Sequence, residues 1–188
     1  MRVTREQMAE HRQKILDAAG KLFRAKGFEA VTVADVMRAA GLTHGGFYGH
    51  FKSKDDLIAE TLAQALKPAD SDIDLADFTR RYLSPRHRDD FAGGCSTAGL
   101  GAETIRQAPA ARAAMTAGLR ATIERLSRGA EGETEAVRRR IAIGNWSAMV
   151  GALVLARMSD DLELSDEILS ETRAWLETAK PSRRARSK

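Results

Sequence analysis

The sequence predicts an all-α protein, a small N-terminal helix-turn-helix head of three helices followed by a larger helical-bundle body. Three observations carry this. Apolar residues recur at helical spacing along almost the whole chain, capping residues and breakers separate the stripes, and no strand-like alternation of β-branched residues occurs anywhere. The 188 residues, with 43% hydrophobic and 30% charged content, suffice for one sizeable core or a small module joined to a larger one.

The first helix is read over residues 5 to 26. Ile15, Ala19, Leu22 and Phe23 form a one-sided stripe, Gly27 takes the left-handed position that ends it, and Phe28 falls where it packs back on the helix. Thr32 with Asp35 resembles a capping box and opens a second helix through Val36, Met37 and Ala40, stopped by Gly41. Thr43 is positioned to cap a very short third helix. Ser53 with Asp56 caps a fourth, whose Leu57, Thr61, Leu62, Ala65 and Leu66 form a stripe up to the break at Lys67-Pro68. Beyond an Asp-rich connection, helices are expected at about 75–83, 95–107, 110–128, 134–159 and 165–179. Breakers are read at Ser84-Pro85, Gly93-Gly94, Pro109, Gly129 to Gly132 and Asp160-Asp161. The expected division is a DNA-binding domain over 1–52, a ligand-binding and dimerisation domain over 53–180, and a disordered basic tail over 181–188.

Charge is distributed unevenly. Residues 1–54 hold 10 Lys/Arg against 5 Asp/Glu, residues 55–180 hold 16 against 21, and residues 181–188 hold 4 against none, which gives +5, −5 and +4. A basic head on an acidic body suits a nucleic-acid-binding head on a partner-binding body, although uneven solvated faces give the same count. The lone Cys95 has no partner for an internal bridge, and the start, with Arg2, Arg5 and Glu6, lacks the apolar run of a signal peptide. Both predict a reducing, cytoplasmic setting. The most apolar region, near Ile141 to Met158, is broken by Gly144, Asn145, Ser147 and Arg157, so no membrane association is expected.

Thr32 to Phe51 has the layout of a helix-turn-helix. Gly41 permits the reversal, Leu42 and Phe47 plug the angle, and Val36, Met37 and Ala40 supply the apolar underside. The second helix of the pair, Thr43 to His50, holds three glycines and has poor propensity, so it depends on packing by Phe47 and Phe51. Gly45 and Gly46 let its backbone approach something flat, such as a DNA groove.

The run Ile15-Leu16-Asp17-Ala18-Ala19 through Gly27-Phe28, then Val31-Thr32-Val33 and Ala39-Ala40-Gly41-Leu42, and above all Gly46-Phe47-Tyr48-Gly49-His50-Phe51-Lys52-Ser53-Lys54-Asp55-Asp56-Leu57, resembles the DNA-binding domain of TetR/AcrR transcriptional regulators over about 50 residues. Gly94-Cys95 with Leu100 and Glu103, and Met149 through Arg157, are similar to the ligand-binding body of one branch of that family. The resemblance implies a homodimer on a palindromic double-stranded DNA operator, released by a small-molecule effector, hence a repressor. It implies that Tyr48, His50, Lys54 and Thr32 contact phosphate or backbone, and that Thr43, His44 and Gly45 face base edges, with Arg38 in support. Tyr48 and Lys54 taken singly read equally as a packing residue and a solvated charge.

Phe78, Tyr82, Cys95, Leu100, Met115, Trp146 and Met149 are the candidates to line an effector pocket, although each also reads as core. Cys95 follows Gly93-Gly94 at a helix start, where the helix dipole favours a reactive thiolate, and the matching Gly-Cys of similar bodies is sometimes an electrophile sensor. It reads equally as a small packing residue. The two C-terminal helices, one rich in small residues and the other carrying Leu169, Trp175 and Leu176, are expected to form the dimer interface.

No enzyme, cofactor or metal site is expected. His11, His44, His50 and His87 form no Glu-x-x-His or His-x-x-x-His pair. His87-Arg88-Asp89 has Gly94 where a kinase catalytic loop needs asparagine, and Gly99-Leu100-Gly101 lacks the third glycine of a dinucleotide loop. The alternative to a regulator is a helical ligand-binding or scaffold dimer whose basic head binds an acidic protein.

Overall fold

A computed structural model describes residues 4–67 and 74–178. Among these residues every regular element is helical. The elements are α1 (Arg5–Ala30), α2 (Val33–Ala39), a 3-10 helix (His44–Gly49), α3 (Lys54–Ala65), α4 (Leu75–Tyr82), α5 (Pro85–Asp89), α6 (Ser96–Thr104), α7 (Pro109–Gly129), α8 (Glu135–Met158) and α9 (Leu162–Thr178). The tail at 181–188 lies outside the described residues.

Packing divides the chain into two units. One comprises residues 1–68 and 90–120, the other residues 69–89 and 121–188. The first unit is therefore larger than the 1–52 segment: α3, α6 and the start of α7 complete its core. Ile15, Ala19, Phe23 and Phe28 of α1 join Val36 and Met37 of α2, Phe47, Phe51, Leu57, Ile58 and Leu62, and then Leu100 and Met115, in one buried cluster. The anticipated caps organise it. Thr4 and Thr32 each form a reciprocal capping box, with Gln7 and Asp35 respectively, and Ser53 accepts the Asp56 N–H at 3.1 Å. The Thr32 hydroxyl and N–H hold the Asp35 carboxyl below the usual carboxylate range. Gly27 (φ 82°) breaks α1 where expected and turns Phe28 back on Phe23, edge to face at 5.2 Å; Gly41 (φ 71°) makes the reversal after α2.

In the second unit, α8 and α9 pair along their lengths, with α4 and α5 against them. Arg88 is buried between α5 and α9. It donates to Ser165 Oγ at 2.9 Å and to the Asp166 carboxylate at 2.5 Å, while Arg157 of α8 donates to the carbonyls of His87 and Arg88, both at 2.9 Å. Together these bonds satisfy the C-terminal carbonyls of α5 and the charge of a buried guanidinium.

Four local expectations need correction. Thr43 makes no side-chain cap, and the helix it precedes is a 3-10 turn, with i→i+3 bonds Gly46 N–H to Thr43 O and His50 N–H to Phe47 O. Pro85 and Pro109 start α5 and α7 rather than separating helices, because proline suits the first helical position. Asp161 likewise caps instead of breaking: its carboxylate accepts from Glu163 and Leu164 N–H, and α9 begins at Leu162. Finally, α8 is by length and composition long enough and apolar enough to cross a membrane, although Arg138 to Arg140 lie in its first turns and Trp146, Met149, Ala152, Leu153 and Ala156 are buried.

Candidate nucleic-acid interface

The 3-10 helix is anchored from one side and bare on the other. Phe47 is fully buried, stacked on Phe51 at 5.7 Å and edge to face with Tyr48 at 5.2 Å. Its neighbours reverse this. Tyr48 is 69% exposed, and Thr43, His44, Gly45 and Gly46 are all exposed. A methyl group built on Gly45 would meet nothing within 4 Å, whereas one on Gly46 would touch Met37 and Thr43. The backbone at Gly45 thus presents an open face, with His44 and Thr43 beside it as the polar side chains able to read a surface.

Thr32 is exposed at the start of α2, but its hydroxyl is engaged. It accepts from Asp35 N–H at 3.1 Å and donates to Asp35 Oδ2 at 2.6 Å, so any phosphate must share that network. Arg38 pairs with the same carboxylate. Lys54 is half-buried as the first residue of α3, where its ammonium and the helix N-terminus both favour an anion. His50 closes the 3-10 helix, half-buried, its ring 6.3 Å from that of His11. Burial, reinforced by His11 and Arg12, pushes its imidazole below the ordinary histidine range, so at neutral pH it offers a neutral donor rather than a charge. Arg12 stacks 4.9 Å over Phe51 and pairs with Glu60 of α3, tying the first and fourth helices of the head around the reading element.

The pocket candidates are not gathered in one place. Leu100 and Met115 are buried in the core of the first unit, and Cys95 is half-buried at the N-cap of α6. In the second unit Tyr82 lies 5.8 Å from Phe78 and 5.4 Å from Trp146, ring to ring, and Phe78 and Met149 line a cavity of about 20 Å³ with Leu126, Ala142 and Asn145. That volume holds about one water. Trp146 Nε1 is buried without a hydrogen-bond partner. Among the described residues no group of three or more His, Cys, Asp or Glu is placed to hold a metal.

A buried phenylalanine anchoring a short, exposed, glycine-rich helix after a seven-residue partner defines a helix-turn-helix protein. The sequence profile of the bacterial regulatory proteins of the tetR family matches residues 15–61, and through this segment the chain belongs to that family. The segment is 42% identical over 59 residues to the HTH-type transcriptional regulator AcrR of Shigella flexneri, a match covering 31% of this chain and 27% of AcrR. It is 38% identical over 63 residues to the HTH-type transcriptional repressor KstR2 of Mycolicibacterium smegmatis, covering 34% of this chain and 31% of KstR2. The matches thus span less than a third of these curated relatives. The fold as a whole is similar to that of reduced NemR from E. coli (TM-score 0.73, 21% identity, 92% of this chain and 98% of NemR). It is also similar to that of a TetR-family regulator from Agrobacterium tumefaciens (TM-score 0.71, 21% identity, 93% of this chain and all of that one).

Proposed function

We propose that the protein is a cytoplasmic, non-enzymatic transcriptional repressor that binds a palindromic operator as a homodimer and leaves it when a small molecule occupies the body. The observation that carries this reading is the exposed 3-10 helix, with Thr43, His44 and Gly45 at its open face and Tyr48 and Lys54 flanking it. Tyr48 and Lys54 hold phosphates, His44 and Thr43 read bases, and the thin side-chain inventory leaves part of the specificity to DNA shape. Effector binding favours a conformation of the dimer in which the two heads leave groove spacing.

The decisive experiment is a footprint on DNA upstream of the protein's own coding sequence, where a protected palindrome supports the reading and indifference to sequence refutes it. On that operator Lys54→Ala should weaken specific and random DNA alike and flatten the slope of log K against log salt by about 0.9. Affinity within about twofold of wild type would remove Lys54 from the phosphate contacts.

Cys95 is assigned to the effector side. A small electrophile should alkylate it in the native protein and abolish operator binding, while Cys95→Ser should bind operator and ignore the reagent. A thiol that stays unmodified until the protein unfolds, or one modified with unchanged DNA affinity, makes Cys95 a packing residue.

A further inference from the structure

The break at Gly27 leaves a backbone problem that is solved from a distance. With Gly27 at φ 82° and ψ 169°, the helical hydrogen-bond register of α1 is interrupted, and the Phe28 N–H lies just past the break. Its partner comes from α6: Glu103 Oε2 accepts from Phe28 N–H at 2.7 Å, 75 residues away in sequence. The carboxylate sits so close that a Cβ on Gly27 would lie 2.5 Å from Glu103 Oε1. One turn earlier on α1, Arg24 Nε donates to the Ala92 carbonyl at 2.6 Å, and its NH1 group reaches Ser96 Oγ at 3.4 Å. Between these two anchors Gly99 of α6 faces the Arg24 carbonyl, with 3.9 Å left for a Cβ. The single turn Arg24–Phe28 therefore grips α6 near both ends, by Arg24 at its start and by Glu103 at its finish. From Phe28 the chain passes through buried Val31 directly to Thr32, the cap of the first helix of the helix-turn-helix.

We propose that Glu103 is a positioning residue for operator binding. Its carboxylate latches α6 to the Gly27–Phe28 break, so that the pose of the helix-turn-helix and the state of α6 change together. This rests on the DNA-binding reading above. Glu103 touches no DNA; it acts through the Phe28 amide, and because coupling is reciprocal, operator binding at residues 43–54 must register in α6. A contact serving stability alone would hold α6 equally with and without DNA.

Hydrogen exchange on the full-length protein, with and without operator, tests this. In the wild type, operator should slow exchange at 43–54 and also at 96–104. In Glu103→Ala the Phe28 amide should exchange roughly ten- to hundred-fold faster, as expected when a charge-assisted bond to a buried N–H is lost. Operator should still protect 43–54 in that variant but no longer 96–104. Glu103→Gln, whose side-chain carbonyl can still accept from Phe28, should restore the response at 96–104. If Glu103→Ala does not fold, Glu103→Leu, which keeps the apolar stem and lacks an acceptor, takes its place. Protection at 43–54 with 96–104 unmoved in the wild type, or an undiminished response in the alanine or leucine variant, overturns the latch alone. Failure of any palindrome to protect 43–54 overturns the DNA-binding reading, and the latch with it.

Discussion

Replacing Trp175 with arginine is expected to yield a monomer that no longer holds a palindromic operator. Trp175 is 57% exposed on α9 in the single chain, and it lines a shallow groove of about 460 Å³ with Ala148, Gly151, Ala152 and Leu155 of α8. A Cβ on Gly144 or Gly151 would meet nothing within 4 Å, so this side of α8 offers close approach to another helix. Leu155, Met158, Leu162 and Leu164 are exposed on the same two helices. Such an accumulation of apolar surface suits an isologous interface of α8 and α9 with their symmetry mates. An arginine placed at its centre would be buried without a partner, which costs several kcal/mol per copy, enough to dissociate an interface of ordinary size. Separating the heads also removes the gain from binding two half-sites at once, on the order of 10² to 10⁴ in affinity. Light scattering should therefore report the monomer mass or aggregates, gel shifts should lose the specific complex, and Trp175→Phe should keep both properties. An intact dimer in the arginine variant would move the interface elsewhere.

What the sequence disclosed and what it hid follow from the range of the interactions involved. Caps and stops depend on residues within four positions of one another, so the boxes at Thr32 and Ser53 and the turns at Gly27 and Gly41 were readable, as was the burial of Phe47. The same local logic misled at Pro85, Pro109 and Asp161, because proline and aspartate end one segment and begin the next by the same chemistry. The 3-10 character of the reading helix reflects three glycines in six residues, which weaken the longer-range α register while Phe47 holds the turn in place. Glu103 and Arg88 were out of reach for another reason. Each finds its partner 75 or more residues away, Phe28 for one and Ser165 and Asp166 for the other, and no neighbouring residue signals the pairing. The seven pocket candidates, chosen as apolar, aromatic or sulfur-bearing, proved to be distributed over two cores, because core and pocket draw on the same residue types.

Phe47→Ala should abolish operator binding while leaving most of the helix content intact. Phe47 is fully buried and is the residue by which a helix of weak intrinsic propensity is held to α2 and α3, through Phe51 and the core around Met37 and Leu57. Truncating a buried phenylalanine costs about 3–5 kcal/mol through lost burial and the cavity left behind, a large share of the 5–15 kcal/mol that a domain of this size typically has in reserve. The loss falls on six residues that have little else to hold them, since Gly45, Gly46 and Gly49 contribute no side chains and Thr43 no cap. The 3-10 helix should therefore unfold locally before the head does. Amides at 44–51 should lose protection first, DNA affinity should fall to the non-specific level, and circular dichroism at 25 °C should change only slightly. Phe47→Leu, which retains most of the buried volume, should recover most of the affinity. If Phe47→Ala bound operator as wild type does, the 3-10 helix would not be the reading element, and the base contacts would have to come from another surface of the head.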